Sequence, residues 1–530
     1  MLPVFLGDQR ITTRFTLAPG SDFGVSALAA LDRSGARTVP WEEALRTDHD
    51  LVLAASPKGE LRELSGPRVL LPHGAGFNKA VRDDGSPGIP SGLDPAYLLP
   101  DGVPWADLHA LAHDDQVALL AHYCPSLAGR ADVVGDPTLD RLLASVGHRA
   151  HYRDALGTGW RQLVVLTSTW GPESLLSRRP ELPGELLDLL PQDTFQVALI
   201  LHPNEHSRTG AFDLSRRLAP ALAAGLVLSQ PYEEWASLLV AADAVVSDHG
   251  STALYAAALG RPVVNAYDGG DELLPDSPMA RLLAQAPRLT EARRMEDVLS
   301  EAVGQETRLV AEAAFARQGR ALHQLQRTLY GMLGLRPVAA APEAEAFPGP
   351  DGVGHRAMAH AVRTKVNGLR IDVERFPPQT PHAVHHLAAE YPKAGLRALQ
   401  SAAVLWQCAR PTGTADPRRA SSTWTAAGWT THVLEEAPRC RTVAAVLSAE
   451  RCLLRHRSHG LLSIRIEPQR AGGRMSRIDP VAAVSAVHAW LGTAAPAVHS
   501  VPVVLTCETG PLSVLVHVTP PIPEDLDHEL

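Results

Sequence analysis

The sequence has few cysteines, few aromatic residues and no excess of positive charge. Its five cysteines form neither a CxxC pair nor a cysteine–histidine spacing, so the sequence indicates neither a zinc site nor a disulfide framework. The formal net charge of -9 argues against general attraction to nucleic acid or anionic lipid, because phosphate binding usually needs a basic surface. An anionic ligand must therefore be held by local groups.

Long apolar runs and internal repeats are also missing from the sequence. No run approaches the roughly 18 apolar residues of a membrane-spanning helix. The N-terminal segment MLPVFLGDQR lacks the basic and long apolar regions of a signal peptide. We expect a cytoplasmic protein with no integral membrane segment and no nucleic-acid partner. At 530 residues and 45% hydrophobic content, the chain is long enough for several globular domains.

Short apolar runs alternate with helix-length segments over the first 335 residues. HDLVLAAS, PRVLLPHG, QVALLAHY and ADVVGDP are the strand candidates of the first half, and QLVVLTSTW, FQVALILHPN, GLVLSQ, DAVVSDHG and RPVVNAY are those of the second. Strands separated by helices favour parallel sheets. The predicted fold class is α/β, with two tandem doubly wound, Rossmann-like domains at residues 1–158 and 159–335 and a cleft between them.

A Pro/Ala/Gly-rich stretch at residues 336–353 predicts a linker, and residues 354–530 then change in character. Strand-like runs there include VVLTCETGPLSVLVHV, which predicts a hairpin turning at Thr509 and Gly510. We expect helices around Ala383–Cys408 and Pro480–Leu491. The segment is therefore an α+β module of unknown function. Its basic cluster RHRSHG fits a solvated face, and a protein partner through this module stays open.

In doubly wound sheets, ligands bind beyond the carboxyl ends of the strands, so the turns there carry the candidate residues. In LLPHGAGFNK, His73 is a candidate base, and Gly74 and Gly76 allow a ligand to approach the backbone. The alternative is a histidine that bonds its own turn. In LTSTW, the hydroxyls can donate to a phosphate or cap the next helix, and they belong to Thr167, Ser168 and Thr169.

His202 ends a further strand, and His206 follows four residues later. That spacing suits a metal on a helix, but Pro203 argues against a continuous helix, so no metal is expected. In SDHGSTALYAAALGRPVV, Gly250, Ser251 and Thr252 begin a predicted helix. Backbone N–H groups, the helix dipole and two hydroxyls converge there, which makes an anion site, whereas an ordinary capped helix is the alternative.

The order PHG, GDPTLD, LTSTW, LHPN and SDHGSTALYAAALGRPVV resembles the glycosyltransferase-B (GT-B) superfamily, and within it the CDP-glycerol glycerophosphotransferase-like enzymes, over about Leu17–Leu335. The resemblance implies that His73 and His202 are catalytic and that Ser251 and Thr252 hold the donor pyrophosphate. It implies direct displacement by an acceptor hydroxyl on a nucleotide-diphosphate-activated donor, which is a substrate, without a cofactor or metal.

The sequence also departs from that family. Related enzymes carry an acidic residue for the donor ribose a few positions into the helix, where this chain has Tyr255. Asp248 and Asp268 are alternative carboxylates, and Asp248, His249 and Tyr255 are candidate nucleotide contacts. The basic membrane-binding helices of teichoic-acid polymerases are missing. A non-catalytic GT-B-derived scaffold that binds a nucleotide or a protein stays open, as does a UDP-N-acetylglucosamine 2-epimerase, whose DSGG turn is only partly matched by DHGSTALY.

Overall fold

The computed structural model describes residues 2–19, 31–32, 34–72, 74–81, 85–303, 307–351, 357–409, 423–471, 473–493 and 501–530. The chain forms two parallel sheets followed by a closed barrel. None of the helices in these ranges combines the length and the apolar character needed to cross a membrane.

The first sheet contains four parallel strands that lie side by side in chain order. Its elements are α1 (Trp41–Leu45), β1 (Val52–Ala54), β2 (Arg68–Leu70), α2 (Pro95–Leu98), β3 (Leu108–Leu111), α3 (Asp114–Tyr123) and β4 (Ala131–Val133). The prediction of a parallel sheet is confirmed. Its described strands show no reversal of order, which a doubly wound sheet requires. The prediction that QVALLAHY forms a strand was wrong, because this run lies in α3, where His113 caps the first turn.

The second sheet has the strand order β7-β6-β5-β8-β9 and is parallel throughout. Its elements are α4 (Pro137–Ser145), α5 (Arg149–Ala155), β5 (Gln162–Ser168), α6 (Leu175–Arg178), α7 (Leu182–Leu189), β6 (Phe195–Leu201), α8 (Pro203–Thr209), α9 (Ala211–Ala223), β7 (Val227–Leu228), α10 (Glu234–Ala241), β8 (Ala244–Ser247), α11 (Thr252–Ala258) and β9 (Val263–Asn265). Every residue of β6 is buried, because separate apolar clusters cover the two faces of the sheet. The order reverses at β5, so the doubly wound prediction is confirmed here.

Four further helices follow the second sheet: α12 (Pro278–Gln285), α13 (Met295–Val303), α14 (Arg308–Glu312) and α15 (Ala321–Met332). Helix α15 packs against the first sheet, where Leu325 and Leu329 join Val69 and Ala110 in one cluster. Helices α4 and α5, conversely, pack with the core of the second sheet. The chain thus crosses between the halves more than once, and the predicted boundaries at 158 and 335 stay predictions.

The C-terminal part is a closed barrel of nine strands in the order β10-β11-β19-β20-β16-β15-β14-β13-β12. Its elements, with the separate two-stranded sheet β17–β18, are β10 (Ala359–Asn367), β11 (Arg370–Phe376), β12 (His386–Glu390), α16 (Leu396–Ser401), β13 (Val404–Cys408), α17 (Ala426–Glu436), β14 (Thr442–Val446), β15 (Arg451–His456), β16 (Gly460–Glu467), β17 (Gln469–Ala471), β18 (Arg474–Ser476), α18 (Pro480–Leu491), β19 (Val503–Thr509), β20 (Leu512–Thr519) and α19 (Pro523–Leu526). Parallel pairs join β12, β13 and β14 and also β11 and β19.

Helix α18 lies inside this barrel. Every residue from Val481 to Leu491 is buried, and the helix contacts β10, β11, β13, β14, β15, β16 and β19. A helix that is apolar all round needs such an enclosed position. The predicted helix at Pro480–Leu491 and the hairpin at Thr509 and Gly510 are confirmed. The helix predicted over Ala383–Cys408 was wrong, because this segment forms β12, the short α16 and β13.

A buried arginine is one of the groups that attach the barrel to the second sheet. Arg375 of β11 donates to both carboxylate oxygens of Asp193, at 2.6 to 3.2 Å, and to Asp479 at 2.9 Å. Burial opposes the charge, but the two aspartates raise the pKa of Arg375 above its ordinary value. Asp193 precedes β6, so the barrel lies at the amino ends of the second sheet. A cavity of about 390 Å³ at this junction is lined by Arg375, Gln192 and Asp479 among others.

Candidate functional site

The candidate site lies at the carboxyl ends of β5 and β8, between which the strand order of the second sheet reverses. Thr169 follows β5, and the turn from Asp248 to Ser251 follows β8. Parallel sheets of this order bind ligands in the crevice at such a reversal. The loop at residues 74–81 of the first half lies against the same edge. The two halves therefore meet where the sequence predicts a cleft.

Backbone and side-chain contacts fix that loop on the second half. The carbonyl of Asn78 accepts a hydrogen bond from the N–H of Leu274 at 2.9 Å, and its side-chain oxygen accepts from the N–H of Met279 at 3.2 Å. The N–H of Ala80 donates to the carbonyl of Glu272 at 2.9 Å. The loop is thus positioned by three bonds across the cleft.

Gly74 brings the predicted His-Gly turn against Ser251. Gly74 has a φ of +81°, and a Cβ added there would stand 3.0 Å from Ser251 Oγ, so this position strongly favours glycine. Gly76 also has a positive φ and faces the Asn78 side chain. His73 lies outside the described residues, so its catalytic role stays a prediction.

Lys79 is a residue of this site that the sequence analysis missed. Its Nζ donates to Thr169 Oγ1 at 3.3 Å and lies 5.6 Å from the centre of the Trp170 ring. Lys79 is one of only four lysines in the chain, a scarcity that could have drawn attention to it beside the glycine-rich turn. Its ammonium supplies local positive charge at the cleft of an acidic protein.

The hydroxyls of the LTSTW turn divide into two groups. Thr167 Oγ1 and Ser247 Oγ bond each other at 2.7 Å in the buried interior. Ser168 Oγ accepts from the N–H of Leu176 and donates to the carbonyl of Thr169, both at 3.1 Å. Thr167 and Ser168 are therefore engaged within the fold, whereas Thr169 faces Lys79. Their roles as phosphate ligands stay predictions.

The start of the helix after β8 leaves fewer backbone N–H groups for a ligand than its sequence predicts. Helix α11 has seven residues, and the N–H of Gly250 donates to Asp248 Oδ1 at 2.9 Å. Ser251 and Thr252 are half-buried, and the Ser251 hydroxyl makes no capping bond. The Ser251 hydroxyl, which lies beside Gly74, is therefore better placed to bind a ligand than the N–H groups of the helix start. Phosphate binding by Gly250, Ser251 and Thr252 stays a prediction.

The Asp248 carboxylate joins the two turns. It is fully buried and accepts from the N–H of Thr169 at 2.9 Å and of Leu175 at 2.8 Å, besides that of Gly250. These bonds hold the ends of β5 and β8 at a fixed separation. The alternative carboxylate, Asp268, bonds exposed Arg288 at 3.0 Å. Nucleotide contact by Asp248 stays a prediction.

His249 forms a buried pair with Glu272, a residue the sequence analysis did not single out. Its Nε2 lies 3.1 Å from Glu272 Oε2, and both side chains are almost wholly removed from solvent. Gly269 has a φ of +78°, and a Cβ added there would overlap the His249 ring. The pair therefore depends on glycine at 269. Nucleotide contact by His249 stays a prediction.

His202 caps the first turn of α8. Its Nδ1 accepts from the N–H of Asn204 at 3.1 Å, so in the neutral ring Nε2 carries the proton and can donate to an oxygen. The centre of its ring lies 6.4 Å from that of Trp170. The expectation that Pro203 prevents a helix was wrong, since Pro203 is the first residue of α8, where its missing N–H costs nothing. Burial lowers the pKa of His206. Within the described ranges, the two histidines belong to no group close enough to share a metal.

Tyr255 occupies the place of the expected ribose carboxylate, but its hydroxyl is committed to the fold. It is buried and donates to Asp136 Oδ2 at 2.8 Å. Burial raises the pKa of Tyr255, and the neighbouring Asp136 raises it further. Nucleotide contact by Tyr255 stays a prediction.

No protein-family model matches the sequence, and no curated protein matches it significantly. Solved structures are similar to part of the chain. The match to the wall teichoic acid polymerase TagF covers 61% of this chain and 88% of the TagF chain, at 14% identity and with a TM-score of 0.43. The match to Alr3699/HepE of Anabaena, in complex with UDP and glucose, covers 61% of this chain and 99% of the HepE chain. The identity is 14% and the TM-score is 0.36. At this level of similarity, the function must be argued from the chain's own residues.

Proposed function

We propose that residues 1–335 form a GT-B type transferase that uses a nucleotide-diphosphate-activated donor and passes a glycosyl or glycerophosphoryl group to an acceptor hydroxyl. The supporting observation is the meeting of Lys79 with Thr169 above the reversal point of the second sheet. A lysine and hydroxyls suit the binding of phosphate oxygens, and this edge is where sheets of this order bind nucleotides.

Each group has a distinct part in the proposed displacement. Lys79, Thr169 and Ser251 bind the phosphate oxygens of the donor and neutralise part of their charge. The Nε2–H of His202 stabilises charge on the leaving nucleotide. His73 accepts the proton of the acceptor hydroxyl as its oxygen bonds to the sugar carbon or the phosphorus, while the bond to the leaving nucleotide breaks.

A scaffold that binds a nucleotide without turnover is the second candidate. It is favoured by the commitment of Asp248 and Tyr255 to bonds within the fold, because neither is then available to a ribose without rearrangement. A ligand that binds but is not consumed would identify this case.

Thermal-shift measurements with CDP, UDP, GDP and CMP, and with their sugar or glycerol conjugates, test the proposal. We expect a nucleoside diphosphate or its conjugate to raise Tm more than the monophosphate does, because the added phosphate meets Lys79. Released nucleotide, measured by chromatography after incubation with hydroxyl acceptors, then separates transfer from binding. If no compound raises Tm at millimolar concentration, the transferase and the nucleotide-binding scaffold are both excluded.

A further inference from the structure

Three histidines meet at one end of the C-terminal barrel. His385 and His386 stand at the start of β12, and His488 lies in the last turn of the enclosed helix α18. Each offers a ring nitrogen within 4.8 Å of those of the other two. Over the described ranges, they are the set of potential ligands close enough to share one ion. Nothing in the sequence brings them together, because His488 is about a hundred residues from the other two.

The hydrogen bonds of the cluster leave metal-binding capacity unused. His385 Nδ1 and His386 Nδ1 lie 2.9 Å apart. Two imidazole ligands of a tetrahedral zinc ion, at about 2.0–2.1 Å from the metal, have nitrogens about 3.3 Å apart, so only a small adjustment is needed. His386 Nε2 is buried and has no hydrogen-bond partner among the described residues. The cluster therefore holds a buried ring nitrogen whose burial is not offset by a hydrogen bond within the described residues.

Thr442 orients the third histidine. Its Oγ1 lies 2.7 Å from His488 Nδ1, at the start of β14. When Nδ1 donates to this hydroxyl, Nε2 carries the lone pair that binds a metal. Such a bond from the outer side of a ligand is the usual way that proteins fix the tautomer and direction of a metal-binding histidine.

Burial disfavours protonation of the two buried rings, and a helix end favours a bound cation. Burial lowers the pKa of His386, and it lowers that of His488 to about 3, with further effects from His385, His456 and Arg441. The C-terminal end of α18 adds the negative pole of a twelve-residue helix, which favours a cation. Arg441 acts in the opposite direction as a positive neighbour.

We propose that His385, His386 and His488 form a three-histidine site for a divalent transition-metal ion, for which zinc is the best fit. An all-imidazole set suits zinc, copper, nickel or iron and disfavours calcium and magnesium, which take oxygen ligands. Three histidines leave a fourth position for water or a ligand, as in catalytic zinc sites. His385 is exposed, so one ligand of the site lies at the surface of the barrel.

Zinc titration of the full chain, without a polyhistidine tag and after treatment with a chelator, tests the site. We expect isothermal titration to give one zinc ion per chain. His385→Ala should weaken this binding at least about 10-fold, the loss typical even of groups one shell further out. Because His385 is exposed, the variant should keep its fold. His517→Ala is the matched control, since it removes a histidine of the same barrel that bonds Glu467 instead.

Cobalt gives a second readout. The wild-type protein and the His517→Ala variant should show the visible bands of four-coordinate cobalt, and the His385→Ala variant should lose them. Absence of saturable binding, or equal zinc affinity in wild type and His385→Ala, would overturn the proposal. Because the barrel lies away from the cleft, these outcomes do not depend on transferase activity.

Discussion

The hydroxyl of Tyr255 donates to the carboxylate of Asp136 at 2.8 Å and ties helix α11 to the start of α4. Asp136 also caps α4 by accepting from the N–H groups of Thr138 and Leu139, at 2.7 and 3.0 Å. The segments GDPTLD and SDHGSTALY, which the sequence marked separately, are thus joined by one partly buried hydrogen bond. Tyr255, which lies where the resemblance predicts a ribose carboxylate, thus has a partner within the fold.

The first prediction concerns this bond. Tyr255→Phe leaves the half-buried carboxylate of Asp136 without one of its donors, and we expect the free energy of unfolding to fall by about 1–3 kcal/mol. Urea unfolding followed by fluorescence measures it. Tyr391→Phe is the control, because the Tyr391 hydroxyl bonds Glu436 near the surface and its loss should cost less. Equal decreases in the free energy of unfolding of the two variants would show that the bond from Tyr255 to Asp136 contributes no more than a surface bond.

The second prediction is a pH dependence. Burial raises the pKa of Asp136 above its ordinary value of 3.8, although its hydrogen bonds act in the opposite direction. Between 3.8 and the raised pKa, the folded state binds more protons than the unfolded state, so this residue's contribution to stability falls as pH rises.

Because asparagine does not titrate, the Asp136→Asn variant does not lose this contribution to stability as pH rises. The stability of this variant relative to wild type should therefore rise with pH from about 4 until the raised pKa is passed, and then stay level. Urea unfolding of both proteins at several pH values gives the difference. A difference that is independent of pH, or that falls with pH, contradicts the assignment.

The sequence predicted the second half well because its strands are buried on both faces. The run FQVALIL, which is apolar apart from Gln196 and is followed by HPN, corresponds to β6. In the first half, the same type of run was ambiguous, and QVALLAHY proved helical. In the C-terminal part, the strands were partly visible, but barrel closure depends on pairings such as Ile371 with Cys507, which no local pattern encodes.

The sequence predicted which residues lie at the candidate site better than it predicted the hydrogen bonds that they make there. Thr169, Ser251 and the turn at Gly74 were expected at one cleft, and the structure brings them together. The hydrogen bonds that withdraw Thr167 and Asp248 into the fold could not be foreseen, because they depend on the spacing of strands 80 residues apart. Lys79 was missed because a single lysine carries no pattern.

The third prediction concerns the glycine that accommodates His249. Gly269→Ala adds a methyl group that overlaps the imidazole and forces alanine to a φ of +78°, so we expect a loss of about 2–4 kcal/mol. Gly260→Ala is the matched control for Gly269→Ala. Gly260 has a similar φ of +69°, but nothing lies within 4 Å of a Cβ added there. Its loss should reflect backbone strain alone. Chemical denaturation compares them, and similar losses would exclude the steric effect.

The fourth prediction concerns the attachment of the barrel. Arg375→Met leaves Asp193 without its buried partner and should destabilise the protein by about 3–5 kcal/mol. Arg363→Met is the control, because Arg363 pairs with Glu374 on the exposed side of the barrel and such pairs contribute about 0–1 kcal/mol. Differential scanning calorimetry measures both. We also expect faster proteolysis after Leu335 in Arg375→Met, and unchanged stability would exclude a structural role for this arginine.

The last prediction tests the cation at the cleft. Lys79→Met keeps the length of the side chain and removes its charge, so the affinity for a stabilising nucleoside diphosphate should fall about 10-fold or more, in line with the loss of one charge-assisted bond. The affinity for the matching nucleoside should change little, because it has no phosphate. Lys393→Met is the charge-matched control, since Lys393 pairs with Glu390 in the barrel. Isothermal titration at two salt concentrations measures both ligands. If Lys79→Met and Lys393→Met weaken the diphosphate equally, Lys79 acts only through net charge and is not a phosphate ligand.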